Sequence, residues 1–334
     1  MGMMRKSILS AFVTAGALVT VVVSATAFEK PAAAPSTRQA AHEAPERFIK
    51  FTEHPDGTAS LETSIIRLRS GDVTVDLIGA IHIADLEYFA DLNQRFTQYD
   101  AMLYEMVKSK DAVISKPGEA PQTTKATTKP RKDVALRTVG MLQKFMKDGL
   151  NLRYQMDEVD YTPANFVHAD MTSDEFLKMS EERGQELWRL LLKSMTMGSD
   201  NPAVRKAAAA QPGPMDIIRA MQSPDRDARL KRMFGKVMEQ ADDLLDAMSG
   251  PEGTVLIDSR NEKALEVLKQ EMANGKKHIA IFYGAGHMKK MEEVMLRDMD
   301  FRIEGEPQWL VAWKIPAQLP STQPLTQPST QPSK

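Results

Sequence analysis

Residues 73–82, VTVDLIGAIH, decide the fold, because in them an apolar strand ends in a glycine-containing turn and a histidine. Residues 62–69 alternate polar and apolar side chains before the turn at 70–72, which predicts a hairpin with the strand that follows. After His82 the apolar residues recur at helical spacing, and the apolar run 101–107 predicts another strand. A strand, a helix and a strand of this length predict a parallel βαβ unit, with strand 101–107 alongside or close to the one that carries His82.

A second stretch, FYGAGH at residues 282–287, repeats the plan of strand, Gly-Ala-x-His and helix. His82 and His287 both leave the carboxyl end of a predicted strand, where open α/β sheets place their ligands. Each is expected at a helix amino terminus, which favours the neutral imidazole that binds a metal or accepts a proton. If both strands lie near the sheet centre, the two side chains converge. The alternative is that each histidine caps its helix or satisfies a buried carbonyl group.

Two charged residues complete the candidate site. Glu105 lies near the carboxyl end of strand 101–107, where a carboxylate is costly to bury unless it is paired or binds a cation. It is therefore predicted to be a metal ligand, a general base or a salt-bridge partner. Arg260 follows a short strand predicted at 254–257, where it would stabilise an oxyanion or hold a substrate carboxylate. The alternative for Arg260 is a surface pair with Asp258.

The middle of the chain differs from this α/β pattern. Residues 109–132 are predicted as an exposed flexible loop and 133–249 as a Met-rich helical insertion, which is either a plain helical core or an adaptable groove for a peptide or lipid. His168 and Asp170 precede a helix capped by Thr172 and Glu175. A structural role is predicted for both, and the alternative is that they reach the site from the insertion. The α/β pattern then resumes, with helices predicted at 260–273, opened by a Ser259–Glu262 capping box, and at 288–299, and with strands at 278–283 and 308–315.

The two ends of the chain are predicted to lie outside the fold. Residues 1–27 have the basic, apolar and small-residue order of a secretory signal, which predicts an exported protein, periplasmic or extracellular. An uncleaved membrane anchor is the alternative, since the apolar part nearly reaches the ~20 residues that span a bilayer. Residues 28–46 are predicted to be a linker and 316–334, with repeated Thr-Gln-Pro, a disordered tail.

Composition excludes several classes of function. The 334 residues contain no cysteine, which excludes disulfide scaffolds, cysteine nucleophiles and thiolate metal sites. The formal net charge of −2, from 43 basic and 45 acidic residues, gives no electrostatic footprint for a nucleic acid partner. Glycine-rich nucleotide-binding loops, the His-Glu-x-x-His zinc motif and the Gly-x-Ser-x-Gly elbow are all absent from the sequence.

The paired Gly-x-x-His motifs, Tyr104-Glu105-Met106, Arg260-Asn261 and the 282–287 stretch resemble the TraB/PrgY/GumN family, which includes the Tiki ectodomains and lies close to the erythromycin-esterase and ChaN-like folds. The resemblance covers about residues 60–108 and 250–315. It implies an α/β domain over 47–315, with a central mixed sheet and flanking helices. It also implies that His82, Glu105, Arg260 and His287 form the active site.

The function that this resemblance implies is metal-dependent hydrolysis of peptide bonds. His82, His287 and Glu105 are expected to bind a divalent cation of unknown identity, with Glu105 as third ligand or general base and Arg260 stabilising negative charge. The expected partner is a peptide or protein substrate, and the membrane is expected to be contacted only through the signal or anchor segment. Two alternatives remain open: a peptide-binding or regulatory protein without catalysis, and a haem- or iron-binding protein of the ChaN-like kind.

Overall fold

A computed structural model describes residues 48–112, 114, 116–117, 150–183, 212–239 and 254–318. The predicted signal segment and linker, most of the 109–132 loop and most of the 316–334 tail lie outside the described residues. Within these ranges, no helix combines the length and the apolar character needed to cross a membrane. The described part is an α/β structure, in which a mixed central sheet of eight strands is flanked by seven α-helices.

The sheet has an antiparallel half built around one long strand. Strand β2 pairs antiparallel with β1, β3, β9 and β10. The hairpin between β2 and β3 was predicted, and it is confirmed with Gly71 in the left-handed region (φ 58°) at its turn. The bounds of these strands are β1 Ile49–Glu53, β2 Ala59–Ser70, β3 Val73–Ala80, β9 Arg302–Ile303 and β10 Gln308–Ile315.

The other half of the sheet is parallel, and it brings four strand ends to one edge. The strand order is β3, β8, β5, β7, with each neighbouring pair parallel. The bounds of the three further strands are β5 Ala101–Tyr104, β7 Phe166–His168 and β8 His278–Gly284. Strand β8 therefore lies between β3 and β5, so the strand before Glu105 is close to the strand before His82 but is not its neighbour.

Burial on both faces explains why these strands are continuous apolar runs. Residues 75–80 of β3, 101–104 of β5 and 279–283 of β8 are all buried. A parallel sheet is covered by helices on both sides, so its strands lose the alternation of polar and apolar residues. The exception is the buried Asp76 in β3, whose carboxylate accepts hydrogen bonds from Arg67 and from the Tyr99 hydroxyl. The polar groups of the candidate site lie at the strand ends.

Seven α-helices accompany the sheet. They are α1 Leu86–Phe96, α2 Gln155–Glu158, α3 Ser173–Glu182, α4 Pro214–Gln222, α5 Arg226–Glu239, α6 Arg260–Ala273 and α7 Ala285–Asp298. The capping box predicted for α3 is confirmed, because Thr172 accepts from the Glu175 backbone and Glu175 accepts from the Thr172 backbone. The apolar spacing predicts that this helix continues through Leu191, but the residues after Arg183 lie outside the described part of the chain.

The strand predicted at 254–257 is wrong. Val255–Ser259 is a π-helical turn that continues directly into α6. The Thr254 hydroxyl caps this turn by accepting a 3.1 Å hydrogen bond from the Ile257 amide. Ser259, predicted to be the N-cap, is consequently inside a helical run (φ −68°, ψ −31°) and makes no side-chain cap. A short apolar run fits a strand and a buried helical turn equally well, so its residue pattern could not separate them.

The described part of the 133–249 insertion is not purely helical. Strand β7 lies within it and pairs parallel with β5, so part of the predicted insertion belongs to the central sheet. A two-residue strand, β6 Arg153–Tyr154, pairs with β4 Ile83–Ala84 in a second, small sheet. Strands of two or three residues are too short to show a periodic pattern, so no residue pattern predicts them.

Strand β4 also corrects the placement of His82. The chain passes through β4 before α1 begins at Leu86, with Asp85 as its N-cap residue. His82 therefore does not lie at a helix amino terminus, in contrast to the prediction. His287 does, because it occupies the first turn of α7.

Helix α7 carries a buried carboxyl group. Glu292 is 3% exposed on the face that also buries Met288, Met291 and Met295. Its Oε1 has no hydrogen-bond partner in the described part of the chain. Burial, with a smaller effect of the neighbouring Glu293, raises the pKa of Glu292 to about 7. The folded protein therefore holds this carboxyl protonated at pH values where the unfolded chain has already ionised it.

This raised pKa predicts a stability that falls as the pH rises. Between pH 4.5 and 7 the folded state binds more protons than the unfolded state, so the free energy of unfolding decreases with pH across that window. Glu292→Met removes the effect and should stabilise the protein by about 2–3 kcal/mol at pH 8, and by much less at pH 4.5. Urea unfolding at the two pH values measures this. The exposed Glu306→Gln variant is the control, and an equal gain at both pH values would contradict the prediction.

Candidate functional site

The candidate site lies along the edge where the four parallel strands end. Glu105 directly follows β5, and Gly284 is the last residue of β8. His82 follows β3 by two residues, and Asp170 follows β7 by two. Because parallel strands all point the same way, the residues after their carboxyl ends meet at a single edge of the sheet.

Glu105 is the central acceptor of this edge. Its side chain is 11% exposed, and its two oxygens have different partners. Oε1 accepts a 2.6 Å hydrogen bond from Nη2 of Arg260, and Oε2 accepts a 2.6 Å bond from the Gly284 amide. The Nε2 atom of His287 lies 3.7 Å from Oε1. The carboxylate is thus compensated by a guanidinium and a backbone amide, as a buried charge requires.

Arg260 joins Glu105 to a second carboxylate. Its Nε and Nη2 donate to the two oxygens of Asp170 at 2.9 Å and 2.6 Å, the fork geometry of a strong ion pair. The side chain of Asp170 is fully buried, and Arg260 is 6% exposed. The predicted alternative, an Arg260 at the surface, is therefore wrong. Asp170 supports the site through its buried ion pair with Arg260.

The charges of the site follow from burial and from these contacts. Burial by itself would raise the pKa of Glu105, but the positive charges of His287, when protonated, and Arg260 outweigh it and leave that pKa at about 2. Burial lowers the pKa of His287 to about 4, although Glu105 opposes the change. At neutral pH His287 is thus uncharged, and Arg260 supplies the positive charge next to an ionised Glu105.

His287 is held from its other ring nitrogen. Its Nδ1 lies 2.6 Å from Oδ1 of Asn261, whose Nδ2 donates to the backbone oxygen of His287 at 3.0 Å. The ring also packs edge-on against Tyr283, with centroids 5.2 Å apart. Asn261 and His287 are both buried. The imidazole therefore has one fixed orientation, with Nε2 turned towards Glu105 and Arg260.

His82 reaches the same place from the solvent side. It is exposed, and its Nδ1 lies 3.1 Å from Oε1 of the buried Gln155. Gln155 in turn donates from Nε2 to the Tyr161 hydroxyl at 2.8 Å. A methyl group added at Gly284 would lie 3.9 Å from His82 Nε2 and 3.3 Å from Glu105 Oε2. Glycine at this position lets the two side chains approach over the end of β8.

The structure thus brings together all four residues that the sequence pointed to: His82, Glu105, Arg260 and His287. It adds three side chains whose role was missed, Asp170, Asn261 and Gln155. Asn261 stands next to Arg260 and could have been found by position, whereas nothing near Gln155 in the sequence marks it. His168 is not part of the cluster, since its Nε2 contacts the Met106 carbonyl oxygen at 2.7 Å.

Comparisons with known proteins do not identify this site. No family model, curated protein or solved structure matches the chain. The resemblance to the TraB/PrgY/GumN family therefore stays a prediction from the motifs. Across the ranges that the structure describes, no three His, Cys, Asp or Glu side chains are close enough together, as placed, to hold one metal ion.

A cleft of about 380 Å³ opens next to the site, between α3 and the start of α6. Its floor includes Met171 and Ser259, which directly adjoin Asp170 and Arg260 in the chain. Four glutamates, two lysines and a second methionine form the rest of its lining: Glu175, Lys178, Met179, Glu182, Glu262, Lys263 and Glu266. The lining of the cleft is mostly acidic, and it includes none of the four candidate-site residues.

The Arg260–Asp170 pair predicts a large loss of stability in Asp170→Asn. The substitution removes one of the two carboxylates that balance the buried positive charge of Arg260. Breaking such a buried pair costs about 3–5 kcal/mol. The exposed pair Arg69–Glu304 is the matched control, since solvent screens it and Glu304→Gln should leave the free energy of unfolding nearly unchanged. Urea unfolding of both variants measures the difference, and equal losses would show that Asp170 does not support the site.

Proposed function

We propose that this chain is an exported, metal-dependent hydrolase that acts on peptide bonds. Its centre is the cluster of His82, Glu105 and His287, with Arg260 beside it. The observation that carries the proposal is the convergence of two imidazoles, each held at Nδ1 by a buried amide side chain, on one ionised carboxylate. Metal-binding histidines are commonly held in this way, through the ring nitrogen that does not face the metal.

The donor set fits a divalent cation. Imidazole nitrogen and carboxylate oxygen together bind several first-row metals, so the donors favour a transition metal without selecting one. His287 and Glu105 are fixed by their contacts, whereas His82 is exposed and attached mainly through Gln155. His82 is accordingly the ligand whose position we expect to adjust when a cation binds.

A bound cation would supply the Lewis acid that polarises a carbonyl group and acidifies a water molecule. The side chains supply the rest. Glu105 either completes the ligand set or accepts a proton from the attacking water, and its low pKa keeps it ionised for both roles. Arg260 keeps Glu105 in place and provides positive charge where negative charge develops on the substrate oxygen.

The adjoining cleft supports a peptide as substrate. It gives an extended chain space beside the cluster, and its two methionines, Met171 and Met179, can adapt to different side chains. A peptide-binding protein without catalysis would use the same cleft. It would not account for two histidines oriented towards one carboxylate, which is why the hydrolase is the function we favour.

Elemental analysis tests the metal. Protein stripped with a chelator and reloaded with Zn²⁺, Mn²⁺ or Co²⁺ should retain one of these ions in stoichiometric amount after desalting. His287→Ala and His82→Ala each remove a ligand and should abolish retention. His54→Ala is the control, because its ring contacts Ser60 outside the cluster. Retention that survives both site variants would contradict the proposed centre.

Cleavage of a peptide library by the reloaded protein tests the reaction. Glu105→Gln keeps the shape of the side chain but removes the carboxylate, so we expect cleavage to fall by about 10²–10⁴-fold. The surface variant Glu304→Gln should cut at the wild-type rate. Binding of peptides without cleavage by the metal-loaded wild type would replace the hydrolase with a peptide-binding protein.

A further inference from the structure

We infer that Asn261 and Gln155 are positioning residues that set the tautomers of His287 and His82, so that Nδ1 of each ring carries the proton and Nε2 is left unprotonated. The inference deepens the proposed function, because a ring nitrogen binds a cation or accepts a proton only through a free lone pair. It concerns two side chains that lie outside the predicted set of site residues.

For His287 the assignment follows from a backbone carbonyl. The Nδ2 group of Asn261 lies 3.0 Å from the backbone oxygen of His287. A carbonyl oxygen only accepts, so the amide must present its NH₂ group there and its Oδ1 to the ring. Oδ1 also only accepts, so the ring nitrogen at 2.6 Å, Nδ1, must carry a proton. A neutral imidazole has only one N–H group, which leaves Nε2 unprotonated.

The surroundings of Nε2 agree with this tautomer, although the contact is long. Nη1 of Arg260 lies 3.4 Å from Nε2, and Oε1 of Glu105 lies 3.7 Å from it. A guanidinium has donors and no acceptor, so a proton on Nε2 would place two donors against each other. Nε2 therefore accepts from Arg260. The two sides of the ring agree, and Asn261 and Arg260 together leave His287 a single arrangement.

His82 has a similar attachment to Gln155. Gln155 contacts both the ring and the backbone of this histidine, since its Oε1 lies 3.1 Å from Nδ1 and its backbone amide donates to the His82 oxygen at 2.8 Å. Asn261 likewise contacts both the ring and the backbone of His287. The Nε2 group of Gln155 donates to the Tyr161 hydroxyl, which leaves Oε1 to accept from Nδ1. In this arrangement Nε2 of His82 is unprotonated, and this nitrogen lies on the Gly284 side of the ring.

The consequence is that neither ring has to exchange its proton when a cation binds. The cation would instead displace the Nη1 contact of Arg260 at Nε2 of His287. Partners that hold metal ligands in this way affect metal affinity by about 10–100-fold. We therefore expect Asn261→Leu to weaken binding of Co²⁺ by that factor although all three ligands remain. Asn274→Leu, on the exposed end of α6, is the matched control.

The decisive experiment is a two-bond ¹H–¹⁵N NMR spectrum of chelator-treated protein with ¹⁵N-labelled histidines at neutral pH. His287 and His82 should each show a protonated Nδ1 and an unprotonated Nε2, and assignment uses the His82→Ala and His287→Ala spectra. A protonated Nε2 in wild-type His287 would overturn the assignment for Asn261. A protonated Nε2 in His82 would overturn that for Gln155, since its amide would then be turned the other way, with Tyr161 as donor.

Two further variants separate positioning from plain structural support. Asn261→Asp retains an acceptor for Nδ1 and should keep the wild-type tautomer of His287, whereas Asn261→Leu should populate the form with Nε2 protonated. A tautomer unchanged in a folded Asn261→Leu protein would contradict the inference. Because the spectra are taken without metal or substrate, confirmed tautomers without metal retention or cleavage would reject the proposed function alone.

Discussion

The buried guanidinium of Arg260 is the interaction on which the rest of the site depends. It connects Asp170 after β7 with Glu105 after β5, and thereby joins two strand ends to the first turn of α6. It compensates both buried carboxylates, and an uncompensated buried charge costs several kcal/mol. The third contact of Glu105, from the Gly284 amide, ties β8 into the same network. The two histidines are held separately, His287 by Asn261 and His82 by Gln155.

Much of the fold could be predicted because its strands are apolar runs that end in unmistakable turns. The hairpin of β2 and β3, strand β8 and the capping box of Thr172 all follow from local residue patterns. The convergence of His82 and His287 could also be predicted, since each follows a buried parallel strand and such strands end at a common edge. What the patterns could not give was the strand order, because β8 enters between β3 and β5 from far along the chain.

The parts that were missed depend on contacts between distant segments. Asp170 appeared structural because β7, three residues long, has no pattern that places it in the sheet. Gln155 contacts His82 across 73 positions of sequence, and no local feature distinguishes it from a surface glutamine. The π-helical turn before α6 was taken for a strand because four apolar or β-branched residues in a row fit either structure. In each case tertiary packing decided what the residue pattern left open.

Strand β2 has a consequence for how the domain would bear tension. The first and last strands of the described fold, β1 and β10, both pair with β2, and both run antiparallel to it. A force that pulls the two ends of the domain apart would therefore draw β1 and β10 in opposite directions along the strand axis. The hydrogen bonds on β2 would then be loaded together in shear rather than opened one after another. That geometry concentrates mechanical resistance in the antiparallel half, at a distance from the loops that carry Glu105 and Asp170.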